Sequence, residues 1–87
     1  MHMSAPTSAP VALLGTISRA VFSPDLAARL ILALDDEMGI QEISLSEEDS
    51  EGVWLLRTSQ ELTANDKLRA FEFCHGFLAG YVVRLQP

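Results

Sequence analysis

Cys74 and His75 stand side by side, and a thiol beside an imidazole is the first constellation in this sequence that invites catalysis, with one side chain as nucleophile and the other as base. On a helix, however, neighbouring residues point about 100° apart, so the two side chains do not readily meet. The plainer reading is a core thiol at Cys74 and a satisfied histidine at the rim of the core. Tetrahedral metal binding needs three or four convergent ligands, and apart from His2 the chain offers one Cys and one His. The acidic run Glu47-Glu48-Asp49-Ser50-Glu51-Gly52 has the composition of a calcium loop. It lacks the alternating ligands and the bidentate Glu of an EF-hand, so a hairpin turn explains it better. The glycines at 15, 39, 52, 76 and 80 form no phosphate-cradling pattern. No catalytic residue, metal ligand or cofactor site is assigned from these residues, and the expectation is a protein that is not an enzyme.

Charge narrows the partners. The formal net charge is −6, and Asp35, Asp36, Glu37, Glu42, Glu47, Glu48, Asp49 and Glu51 fall in a stretch of 17 residues without Lys or Arg. Such a run repels a phosphate backbone, which argues against nucleic-acid binding. Its plainest role is a solvated surface that keeps the protein soluble; a basic partner, or mimicry of nucleic acid by an acidic inhibitor, is the alternative.

The elements that position these residues come from 87 residues, 48% of them apolar and 21% charged, a composition that fits one packed domain rather than a disordered chain. Met1-His2 reads as a cloning scar before a natural start at Met3, and residues 1–10, rich in Ser, Thr, Pro and Ala, read as a disordered tail; residues 11–87 form the domain. No signal-peptide pattern opens the sequence, the lone Cys74 has no disulfide partner, and no apolar run approaches the length of a membrane span. The expected setting is cytoplasmic.

Val11 to Phe22 alternates as a strand does, while Leu14, Ile17 and Val21 also fit a helical stripe; its β-forming residues and Gly15 favour the strand. Ser23-Pro24-Asp25 then carries a cap, a first-turn proline and an acid for the positive end of a helix dipole. The helix is expected over about Pro24 to Met38, with Leu26, Leu30, Leu34 and Met38 on its buried face, Leu32 exposed and Gly39 as its stop. Ile40–Ser46 and Val53–Thr58 read as a hairpin closed by the acidic turn Glu47–Gly52. A second helix is expected to Ala79, with Ala64, Leu68, Phe71, Cys74 and Leu78 buried, Gly80 as its stop and Tyr81–Leu85 as a last strand. The predicted class is α+β, a ferredoxin-like βαββαβ sandwich with one antiparallel sheet and both helices on one face. The alternative is a helix, hairpin and helix architecture.

Apolar surface exceeds what one layer of helices on a sheet hides. Phe73 and Phe77 sit one turn apart at the edge of the second helix's stripe, Leu32 lies on a polar face, and Trp54 and Leu56 are assigned to the sheet face that the helices leave bare. These five residues, with the acids Glu47, Glu48, Asp49 and Glu51, are the expected partner-binding surface, and the first partner is a second copy of the chain.

The run Thr16 to Thr58 resembles the first half of an ACT-like regulatory domain: a strand, the loop Ser23-Pro24-Asp25, the helix Leu26-Ala27-Ala28-Arg29-Leu30, then Gly39-Ile40-Gln41-Glu42-Ile43 and a hairpin. About half the chain is covered. The family's usual loop has Pro-Gly where this chain has Pro24-Asp25, and often Asn-Ile where it has Ile40-Gln41. The resemblance implies a ferredoxin-like topology and a domain that senses a small ligand, such as an amino acid, at a dimer interface, with Ser23, Pro24 and Asp25 at the ligand.

The function expected from the sequence is therefore a non-catalytic protein-interaction or regulatory domain that forms homodimers and exposes an acidic hairpin turn. A small-ligand sensor and an acidic inhibitor or nucleic-acid mimic are the alternatives, and an enzyme using Cys74 or His75 comes last. Neither nucleic acid nor membrane is an expected partner.

Overall fold

Ser23 decides where the chain turns from strand to helix. Its backbone is extended (φ −147°), and its Oγ accepts a hydrogen bond from the Leu26 N–H at 3.0 Å, satisfying one of the donors that a helix start leaves free. The computed structural model describes residues 11–85, so the expectations for residues 1–10 lie outside the described residues. Its elements are β1 (Ala12–Ser18), α1 (Pro24–Met38), β2 (Ile43–Glu48), β3 (Val53–Thr58) and α2 (Ala64–Leu85).

Helix α1 follows its sequence signals closely. Pro24 occupies the first turn, Asp25 pairs with Arg29 at 2.8 Å, and Leu26, Ala27, Leu30 and Leu34 are buried. The helix ends where Gly39 adopts a left-handed φ of +67°, its N–H donating to the Asp35 carbonyl at 2.8 Å. Each fully buried Leu on this face contributes about 1.5–3 kcal/mol of transfer free energy, which outweighs any single propensity on the helix.

Strands β2 and β3 form the expected hairpin, with Ile43 opposite Thr58 and Glu48 opposite Val53. The strand takes in Glu47 and Glu48, so the turn is shorter than the acidic run; Gly52 closes it at φ +68° with its N–H on the Glu48 carbonyl at 3.0 Å. Strand β1 pairs antiparallel with β3, giving the order β1-β3-β2. Strands β1 and β2 therefore run parallel with β3 between them, the first half of a split βαβ arrangement.

The register shifts between Leu13 and Gly15, and this bulge turns both Leu14 and Gly15 toward the core. Leu14, Ile17, Leu26, Leu30, Leu34, Ile40, Leu56, Ala70 and Cys74 make one buried cluster, so both helices cover the same sheet face. Among the described residues Thr58 is polar and fully buried. Its hydroxyl donates to the Gln41 carbonyl and accepts from the Gln60 N–H at 3.0 Å, which leaves neither group unpaired.

Two expectations need correction. The last strand does not form: α2 runs through Gly76 and Gly80 to Leu85, so the order is βαββα and the sixth element of the ferredoxin-like pattern is missing. Neither glycine takes a positive φ. Tyr81 is half-buried against the core cluster, and with Ala70, Cys74 and Phe77 it continues a row at helical spacing. That packing overrides the strand preference of Tyr81-Val82-Val83 and the cost of glycine in a helix. The helix, hairpin and helix alternative is right about this end and wrong about the other, because Ala12–Ser18 is a strand.

The sheet faces are also exchanged. The register puts Trp54 and Leu56 on the helix-covered face, and the bare face carries Val53 and Leu55 with Leu13 and Arg57. The sequence alternation is real, but it does not say which of its two phases meets the helices.

Candidate functional site

Cys74 and His75 diverge as helix geometry requires. Cys74 points into the core beside Gly15, and burial pushes its thiol up to about 11, so it is protonated and inert at neutral pH. His75 is exposed on the adjoining face of α2. The pair does not assemble a nucleophile and base.

The acidic turn is partly neutralised from across the fold. Arg19, just after β1, places Nη2 at 3.1 Å from both Glu47 Oε2 and Asp49 Oδ1, and its N–H donates to the Gly52 carbonyl at 3.0 Å. Ser50 Oγ donates to Glu48 at 3.3 Å, and Glu51 is exposed. Among the described residues no group of three or more His, Cys, Asp or Glu could hold a metal ion.

The loop Ser23-Pro24-Asp25 is occupied by its structural duties: Ser23 caps, Pro24 opens the helix and Asp25 holds Arg29. Asp25 also borders an open groove of about 790 Å³ between α1 and the second half of α2, together with Arg29, Leu32, Phe77, Tyr81 and Arg84. Three residues singled out from the sequence, Asp25, Leu32 and Phe77, thus meet in one groove.

The remaining expected partner residues divide. Leu32 is 68% exposed, as its helix position requires. Leu56 is fully buried, which removes it from any docking surface, because it sits on the core face of the central strand. Trp54 is half-buried and stacks on Phe22 with ring centroids 4.2 Å apart. Phe73 and Phe77 are half-buried and packed against the core, so they complete it more than they extend it.

The apolar surplus lies elsewhere on α2. Ala70, Cys74, Phe77 and Tyr81 face inward, whereas Leu68, Phe71, His75, Leu78 and Val82 form a second row about 100° round the helix. Leu68 is 57% and Phe71 45% exposed, which corrects their placement among the buried residues. The second row overhangs the side of β1 that no described strand pairs: half-buried Leu78 and Val82, with His75, enclose about 320 Å³ with Ile17 and Val21, and Phe71 lies against Gly15. The spacing of both rows is visible in the sequence, but only packing shows which one meets the sheet. The role of Arg19 is not visible there either, since its partners lie about 30 residues away.

Comparison of the chain with family models, curated proteins and solved structures gives no match. No helix among the described residues is long and apolar enough to cross a membrane.

Proposed function

We propose that this protein is a non-catalytic interaction domain that self-associates and leaves its acidic hairpin turn facing solvent. The observation that carries this reading is the exposure of Leu68 and Phe71 on the outer row of α2, beside a sheet edge with no neighbouring strand among the described residues. The high thiol pKa of Cys74 and the divergence of His75 count against a nucleophile and base pair there. Sedimentation equilibrium across rising concentration tests the proposal: a mass that climbs toward twice the chain mass supports it, and a constant monomer mass overturns it.

A small-ligand sensor is the second reading, favoured by the groove in which Asp25, Arg29, Tyr81 and Arg84 meet. Its charges, two Arg and two Asp, suit a zwitterion such as an amino acid. Thermal-shift measurements against amino acids test it, because a ligand bound only by the native state raises apparent stability. No shift with any amino acid would count against this reading.

A further inference from the structure

The outer row of α2 is spaced as a coiled-coil seam. Leu68, Phe71, His75, Leu78 and Val82 follow one another at three, four, three and four residues, the a and d positions of successive heptads. Leu78 and Val82 are half-buried, Leu78 against the core, while Leu68, Phe71 and His75 are exposed, so among the described residues the first half of this seam is left open. The spacing is also nearly symmetric about His75: Leu68 and Val82 stand seven residues to either side, Phe71 four before and Leu78 three after. A segment with this pattern is complementary to itself when turned end for end.

We infer that a second copy of this chain docks on α2, the two helices packing antiparallel about a two-fold axis at His75. This rests on the self-association proposed above and names its surface. Phe71 then meets Leu78 of the other copy, Leu68 meets Val82, and the two imidazoles face each other at the axis.

Charge selects the same face. Each copy carries a net −6, so two copies can approach closely only where acids are absent. Strand β1 and the seam carry no acid; β2 lies on the opposite edge of the sheet, and at the end of β1 the acids Glu47 and Asp49 are paired with Arg19. Glu72 is the acid nearest the seam. Antiparallel pairing about His75 separates the two copies of Glu72 by about 9 Å along the helix, at the standard rise per residue. The arrangement holds the acidic edges at the two outer ends of the dimer.

Area sets the strength. From Leu68 to Val82 the seam runs about 21 Å along a helix about 10 Å wide. That covers well under the ~800 Å² per partner of a standard interface, even with the exposed Val11 and Leu13 alongside. The dimer is accordingly weak and transient.

Sedimentation equilibrium on the wild type and on Phe71→Arg, His75→Leu and Leu32→Arg tests the seam, with circular dichroism confirming the fold of each. Arginine at position 71 lowers the net negative charge, so lost association cannot come from general repulsion. Phe71→Arg raises the dissociation constant by about ten-fold or more, as expected for an aromatic at the centre of a small interface. His75→Leu lowers it by about ten-fold, because a polar residue at an a position costs association. Leu32→Arg, in the groove between α1 and α2 and outside the seam, leaves it unchanged. A dimer indifferent to both α2 substitutions overturns the seam while leaving self-association standing; a wild type that stays monomeric overturns both. Should Phe71→Arg fail to fold, His75→Leu at its exposed position separates these outcomes by itself.

Discussion

Gly15 and Cys74 touch across the interface between β1 and α2: a Cβ built on Gly15 would lie 2.9 Å from the Cys74 Cβ and 3.3 Å from its Sγ. The helix can settle this close to the sheet only because position 15 has no side chain, and the bulge beside it turns that bare position toward the helix. The approach brings Cys74 into the core and leaves the outer row of α2 over the strand's free edge.

Gly15→Ala is expected to destabilise the fold by about 1–3 kcal/mol, the usual cost of overpacking a core. Urea unfolding followed by circular dichroism checks it. Adding Cys74→Ala should recover little of the loss, since the clash at 2.9 Å is with Cβ and not with sulfur. Full recovery would show that the thiol, and not the backbone approach, sets the contact.

How much of this is legible in the sequence depends on how local each signal is. Ser23, Pro24, Asp25 and Gly39 write both ends of α1 within a few residues of where they act, and the hairpin alternation is equally local. The end of α2 misleads because Gly80 and the β-formers after it are also local signals, and Tyr81 answers instead to the core cluster. Leu56 and Trp54 fall on the unexpected face for a related reason: alternation fixes two faces but not their neighbours. The seam on α2 is hidden because Leu68, Phe71 and Cys74 lie close enough in sequence to pass for one stripe, and only the seating of Cys74 against Gly15 separates them.

Burial raises the Cys74 thiol from 9.0 to about 11, which ties stability to alkaline pH. Between those values the unfolded chain gives up the thiol proton while the folded chain keeps it, so the stabilisation is complete below pH 9 and falls as the pH climbs toward 11. The difference in urea midpoint between wild type and Cys74→Ala should therefore be flat up to pH 9 and change in favour of the variant above it. A difference that stays flat to pH 11 would show that the thiol ionises equally well in the folded state.

Thr58 links the start of β2 to the end of β3 through the Gln41 carbonyl and the Gln60 N–H. Thr58→Val keeps the shape and removes both bonds at a fully buried site. A loss of about 1–3 kcal/mol is expected, the cost of stranding buried polar groups. A change under about 0.5 kcal/mol in the same unfolding measurement, the size of an ordinary surface substitution, would mean that water reaches them.

Gly80 separates the two descriptions of the last segment most sharply. In a helix that continues to Leu85, a Cβ at position 80 meets nothing within 4 Å and the backbone φ is not left-handed, so Gly80→Ala should stabilise by about 0.5–1 kcal/mol through the unfolded chain's lost freedom and better helix propensity. If the helix instead stopped at Gly80 in a left-handed cap, alanine there would be strained and the sign would reverse. Gly76→Ala, four residues earlier and equally open, is the internal reference, because position 76 lies inside the helix on either description. Equal stabilisation by both substitutions, with added helical ellipticity, is the expected result; stabilisation at 76 with destabilisation at 80 would restore the strand and remove Val82 from the seam.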